Sequence, residues 1–306
     1  MTSFTPSRRH VLTPIAAAIA GTFIAVTAGG TAHAQNAASS PIRALYVTGG
    51  GFHDFVKQAE IVPPGIASRL AIQWTVDHTA GKATDALIER HKDTAWTSQF
   101  DVVVYNMSFS HVVDGAWIER LTTAHRESGV GAVILHGAVH SYRRSTSKAW
   151  SELMGAFSMR HDRQRPLTVK AVAPTHPIMV GMPASWTTID EELYEIVQTW
   201  PGMTPLAEAH SGEVNKTSPV IWTNTAGKAR VFVTSLGHNN EMMADPLYLG
   251  LVSRGLLWTV GKLQDDGTPA AGYAAAGRSE SARRRGLDPA VQRAPRRDLH
   301  RTGHRR

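Results

Sequence analysis

Apolar residues along this chain fall into short unbroken runs, several of which stop on a glycine or a histidine, and segments of helical spacing lie between them. Run 42–48 is β-branched and aromatic enough for a buried strand, and it leads into Gly49-Gly50-Gly51 and then His53-Asp54. Run 101–105 is apolar after its first residue, the pattern of a strand covered on both faces. Run 131–135 ends at His136, and run 231–235 ends just before Gly237-His238. Residues 54–70 have helical stretches broken by Pro63-Pro64, which predicts a kink or two short helices. Ile72, Trp74 and Val76 alternate as in a strand over 71–77, and Thr84 is placed to cap a short helix to about residue 91. Asp114 is an N-cap for a helix to residue 126 with Trp117, Leu121 and Ala124 on one face, and Gly129 ends it. Strands separated by helices at this spacing predict an α/β fold on a doubly wound parallel sheet.

The second half is less regular. Residues 147–157 look helical, 167–172 look like a strand, and Pro174-Thr175-His176-Pro177 turns the chain. Residues 186–197 read as one strand interrupted by Asp190-Glu191-Glu192, and 219–223 with 230–235 as a hairpin around 224–228. Asp245-Pro246 supplies an N-cap acid and a proline at the first helical position, opening an apolar helix to residue 260.

The ends differ from the middle. Residues 1–34 combine Arg8-Arg9, an apolar stretch and Ala32-His33-Ala34, the pattern of a secretory signal of the twin-arginine type cleaved after Ala34. The competing reading is an uncleaved anchor, which Pro14 and the interspersed glycines and threonines disfavour. Residues 35–41 form a linker, 42–262 the domain, and 263–306 a basic tail with little to bury, expected to be disordered. The expected residence is therefore periplasmic or secreted, with no stable membrane anchor after processing.

The formal charge of +7 resides in the ends, because residues 35–263 carry 20 basic and 20 acidic side chains. A neutral domain has no field to draw in a polyanion, so nucleic-acid binding by the folded part is not expected. The absence of cysteine excludes disulfides, thiolate metal sites and a Cys nucleophile. The glycine turn lacks the Gly-Lys-Ser/Thr ending of a phosphate loop, and no Gly-x-Gly-x-x-Gly fingerprint occurs, so neither a nucleotide nor a nicotinamide cofactor is expected.

Several separated motifs occur in one order: the glycine turn with His53-Asp54, His136-Gly137-Ala138 at a strand end, and Trp150 to His161 through Leu153, Gly155 and Phe157. Pro174-Thr175-His176-Pro177, Asp190-Glu191, the Gly227 to His238 run, and Gly255, Leu256 and Trp258 follow. In these features residues 42–262 resemble the trehalose-utilisation (ThuA-like) family. The resemblance implies a flavodoxin-like three-layer sandwich with a mainly parallel central sheet, related to class I glutamine amidotransferases, and a role in the metabolism of trehalose or 3-oxo glycosides. Amidotransferases of that fold place a cysteine where this chain has His136, so transfer through a thiol ester is excluded.

Ligands of open α/β sheets bind beyond the carboxyl ends of the strands, so His53, His136 and His238 are expected to converge on one crevice. They would serve as metal ligands for Zn²⁺, Mn²⁺ or Fe²⁺, or as proton carriers in a metal-free site. His136, Asp54 and Glu191 are candidate catalytic groups. Gly50, Gly51, His161, Asn239, Asn240 and Glu241 are candidate contacts to a sugar substrate. Each has a plain structural alternative: Asp54 capping a helix, the glycines making only the turn, the 238–241 block capping its own helix, and Asp190-Glu191 forming solvated surface. The expected function is an exported enzyme that cleaves or modifies a glycoside or 3-oxo glycoside by metal- or His-assisted acid-base chemistry. The alternative is a non-catalytic carbohydrate-binding protein using the same crevice.

Overall fold

A computed structural model describes residues 40–276. The candidate export segment 1–34, nearly all of the linker and the tail beyond residue 276 lie outside the described residues. Among the described residues no helix is long and apolar enough to cross a membrane.

The chain runs β1 (Ile42–Gly50), α1 (Phe55–Ala67), β2 (Ile72–Thr79), β3 (Val102–Ser108), α2 (Gly115–Ser128), β4 (Gly131–Leu135) and α3 (Ala149–Met154). It continues with β5 (Ala156–His161), β6 (Arg165–Ala171), β7 (Ser185–Glu191), β8 (Tyr194–Thr199), β9 (Thr204–Ser211), β10 (Lys216–Ala226), β11 (Ala229–Thr234), α4 (Asn240–Ala244) and α5 (Pro246–Thr259). A nine-stranded sheet has the order β2-β1-β3-β4-β11-β10-β9-β6-β7, and β5 pairs with β8 apart from it. Strand alternation assigns the two cores. Leu45, Val47, Val103, Tyr105, Ala132 and Ile134 meet Trp117 and Leu121 of α2 and Trp150 and Leu153 of α3. Ala44, Tyr46, Val104, Val133 and Phe232 meet Val62 and Ile66 of α1 and Tyr248, Val252 and Leu256 of α5. The sandwich therefore has three layers.

The expectation of a mainly parallel sheet needs correction. The half β2-β1-β3-β4-β11 is parallel, in the 2-1-3-4-5 order of flavodoxin-like sheets. The half β10-β9-β6-β7 is antiparallel throughout. Parallel neighbours need a crossover, usually a helix, and from residue 156 to residue 239 no α-helix interrupts the strands, so they fold back by turns.

Five local expectations also change. Pro63 and Pro64 lie inside one continuous helix, where Val62, Pro63 and Ile66 are buried; the packed face outweighs the missing amide donors. Thr84 caps nothing: its hydroxyl lies 2.8 Å from His111 Nδ1, and only 3₁₀ turns form at Glu89–Lys92 and Ala95–Ser98. Residues 147–157 divide into α3 and β5 at Gly155, whose φ of 81° ends the helix. Residues 186–197 are two strands in different sheets, with the acidic cluster at the corner. The start of the expected disordered tail folds back: Ala71 N–H donates to Tyr273 O at 2.9 Å and Ala275 N–H to Arg69 O at 3.0 Å. The helix starts at Asp114 and Asp245 and the β10–β11 hairpin form as expected.

Two further histidines are locked in the core. His125 sits between the Val130 carbonyl, 2.7 Å from Nδ1, and the Tyr105 hydroxyl, 2.8 Å from Nε2. Nδ1–H therefore donates and Nε2 accepts. His91 is packed on Trp96 with neither ring nitrogen bonded to another group of the protein. Burial pushes His91 down to about 3, helped by His125 and Arg90, and burial pushes His125 down to about 4 against the Val130 bond. A folded value below the unfolded one makes stability fall as pH drops from about 6.5 toward those values. His91→Phe is expected to fold as well as wild type at pH 7 and to lose about 1–2 kcal/mol less stability between pH 7 and pH 5 in urea unfolding.

Candidate metal and acid-base centre

The parallel pairing of Leu135 with Thr234 brings the ends of β4 and β11 out side by side. His136 then leaves β4 with φ of 37°, a left-handed backbone that a histidine adopts only when its surroundings impose it. Its Nδ1 donates to Ser235 O at 2.7 Å, so the Nε2 lone pair is turned toward the crevice. His238 directly follows Gly237, and His53 arrives from the glycine turn after β1. The ring centroids are 4.8 Å apart for His53–His136, 5.1 Å for His53–His238 and 5.2 Å for His136–His238. One nitrogen from each ring lies within 4.8 Å of the other two. His53 Nδ1 is buried with no hydrogen-bond partner.

A carboxylate that the sequence reading left unassigned faces this cluster. Glu192 sits at the corner between β7 and β8, with Oε2 3.5 Å from His136 Nε2 and 3.5 Å from His238 Nδ1, and Oε1 3.7 Å from His161 Nδ1. The two histidine nitrogens are themselves 3.3 Å apart. Tyr194, also unassigned, places its hydroxyl 3.4 Å from His136 Nε2. Its ring stacks on His140 at 3.8 Å and 7°. His140 is fixed in turn by Ser158 Oγ at 2.9 Å and Arg143 Nη1 at 3.0 Å. The only available hint was that Glu192 belongs to the acidic cluster that interrupts the run 186–197, with Tyr194 just beyond it.

Burial pushes the His53 imidazole down to about 3, aided by His136 and His238, so it is neutral at physiological pH. His238 is raised by its contact with Glu192, against partial burial. Burial pushes Glu192 up, but the contacts to His136 and His238 outweigh it and hold the carboxylate ionised. Burial beside Glu192 and Glu191 raises Tyr194, which stays a phenol.

The other candidates have different placements. Glu191 is fully buried and spends its carboxylate on main-chain amides: Oε1 accepts from Gly237 N–H at 2.6 Å, and both oxygens lie within 3.3 Å of His238 N–H. It fixes the loop that carries His238. Asp54 caps α1 through Lys57 N–H at 3.1 Å, and its second oxygen accepts from Asn240 Nδ2 at 3.1 Å. Asn239 caps α4 through Met242 N–H and donates to Asp190 O. Glu241 is an exposed residue of the first turn of α4. The side-chain space at Gly50, whose φ is 104°, is filled by the Ser108 main chain, and that at Gly51 by Thr84 and Lys82; both serve the turn. His161 reaches the centre only at its rim, through Glu192. Phe52, 71% exposed and at φ of 78°, stands beside His53 at that rim. Structure thus brings His53, His136, His238 and the edge of His161 together, and leaves Asp54, Glu191, Asn239 and Asn240 as supports.

The class defined by the fold and site is a three-layer α/β sandwich with ligand-type side chains beyond its parallel strand ends. Residues 25–259 match the model of the ThuA family, described as trehalose utilisation, and the chain belongs to this family. A ThuA-like protein of Parabacteroides merdae has a similar structure, with TM-score 0.56 and 20% identity, over 77% of this chain and 97% of that one. Another, from Bacteroides uniformis, has TM-score 0.56 and 16% identity over 74% and 95%. At these identities the likeness is one of fold. No protein of curated function matches the sequence.

Removing the Glu191 carboxylate leaves the Gly237 and His238 amides unpaired in a buried setting. Glu191→Ala is expected to cost about 1–3 kcal/mol in urea unfolding, and Glu191→Gln, which keeps an acceptor, less than half as much. Equal losses for the two would contradict this supporting role.

Proposed function

We propose that this ThuA-family chain is an exported enzyme of sugar metabolism that acts on a glycoside or its 3-oxo derivative. His53, His136 and His238 would hold a divalent cation of the Zn²⁺, Mn²⁺ or Fe²⁺ class. The observation that carries the reading is the meeting of these three imidazoles from three strand ends, with the His136 lone pair turned inward by Ser235 and a buried His53 nitrogen left without a partner. Neutral imidazoles without cysteine suit cations of borderline softness. A bound cation would supply Lewis acidity toward a carbonyl or alcohol oxygen.

The chain's own residues then divide the work. A carbonyl at carbon 3 acidifies the hydrogen on the adjacent carbon, and removal of that proton forms an enolate from which the glycosidic oxygen departs. His161, half exposed at the rim, is placed to take the proton and return it to the departing oxygen. The Tyr194 phenol is placed to donate a hydrogen bond to developing oxyanion charge. Asp54 and Glu191 hold α1 and the His238 loop in place. The oxidation that creates the ketone belongs to a different protein, since no dinucleotide fingerprint occurs here.

Metal analysis of the purified mature protein, combined with turnover assays on a panel of glycosides and 3-oxo glycosides, tests the proposal. The expected result is a stoichiometric divalent cation and turnover that falls by about 10²–10⁴-fold in His136→Ala with sugar affinity retained. Sugar binding without turnover, lost in the same variant, would assign a carbohydrate-binding protein instead. No metal, no turnover and no sugar binding would overturn both readings.

A further inference from the structure

Glu192 has an environment unlike that of its neighbour Glu191. Glu191 is satisfied by two main-chain amides, whereas the contacts of Glu192 are to imidazole nitrogens alone: His136 Nε2, His238 Nδ1 and His161 Nδ1. It is nonetheless only 8% exposed. The contact lengths of 3.5 Å and 3.7 Å are long for charge-assisted hydrogen bonds, which close to about 2.7–2.9 Å. They are the right length for another arrangement. Two ligands bound to one ion at about 2.0–2.1 Å and a tetrahedral angle stand about 3.3–3.4 Å apart. His136 Nε2, His238 Nδ1 and Glu192 Oε2 form a triangle with sides of 3.3, 3.5 and 3.5 Å.

The surrounding bonds agree with that arrangement. His136 uses its Nδ1 proton on Ser235 O, which leaves Nε2 as a bare lone pair facing the triangle. The Gln164 amide nitrogen lies 2.7 Å from His238 Nε2 and donates to it, so without an ion His238 carries its proton on Nδ1, toward Glu192, and a bound cation would take that proton's place. An outer-shell acceptor that fixes the tautomer, as Ser235 O does for His136, is the usual partner of a metal-bound imidazole. His53 adds a buried nitrogen with no partner. In the absence of an ion the proton on His238 Nδ1 offsets the repulsion between the His136 lone pair and the Glu192 carboxylate, and a cation in the triangle would do so for all three donors.

We infer that Glu192 is a direct metal ligand, which turns the proposed three-histidine site into a centre of three imidazoles and one carboxylate. The inference rests on that proposed site and extends it. Asp190-Glu191-Glu192 thus has three separate duties: Asp190 O anchors Asn239, Glu191 holds the His238 loop, and Glu192 faces the ion. A carboxylate among imidazoles favours Zn²⁺, Mn²⁺, Fe²⁺ or Co²⁺ over a soft cation such as Cu⁺.

The test uses full-length protein stripped with a chelator and titrated with Zn²⁺ and with Co²⁺ against a chromophoric competitor. Circular dichroism checks that each variant is folded. Wild type is expected to bind one ion, and Glu192→Gln to bind it more than about 100-fold more weakly. Glu192→His, which returns a donor atom to the same place, is expected to stay within about tenfold of wild type. It also serves if the Gln variant does not fold. Binding by wild type with unchanged affinity in Glu192→Gln would overturn the ligand role and leave the three-histidine site standing. No binding by wild type would overturn both.

Discussion

The hydrogen bond from His136 Nδ1 to Ser235 O ties two strands that are a hundred residues apart in the chain, and the centre depends on it. It forms because β4 and β11 are parallel neighbours in the sheet, so their last residues emerge together. The same bond fixes the tautomer of His136 and stabilises its left-handed backbone. Loss of that orientation would turn the Nε2 lone pair away from His53 and His238. What looks like a local side-chain contact is therefore a consequence of strand order.

The two halves of the sheet contribute different things. Parallel strands β1, β4 and β11 deliver the three imidazoles from the rim at which open α/β sheets bind ligands. The antiparallel half and the β5–β8 pair bring in Glu191, Glu192, Tyr194, His161 and Gln164, which orient or face those imidazoles. A purely parallel sandwich would have had no corner at residues 192 and 193 from which a carboxylate could reach the crevice. The second half of the chain is thus more than a completion of the fold.

Much of this was legible in the sequence, and the failures have physical causes. His53, His136 and His238 could be read because each follows an unbroken apolar run, and strand ends of such a sheet converge. Asp114 and Asp245 could be read because capping is a local property of one residue and the next few amides. Glu192 could not. Within Asp190-Glu191-Glu192 the period of a strand assigns alternate residues to opposite faces, but the chain leaves the sheet inside the cluster, and the register is lost there. The direction of the later strands was hidden for a similar reason, since pairing partners are set by connection length and packing and not by residue pattern. Pro63 and Pro64 misled because local propensity favours a break where a buried face keeps the helix whole.

Family membership connects the chain to trehalose utilisation, and the architecture gives that connection a chemical form: three imidazoles beside a buried carboxylate, at the edge of a crevice. Anomalous diffraction from crystals of the full chain grown with Zn²⁺, recorded on both sides of the zinc edge, tests the account most directly. The predicted result is a single strong peak at about 2.0–2.2 Å from a nitrogen of each of His53, His136 and His238. A map with no peak among these residues, or with the three rings turned apart, would contradict it.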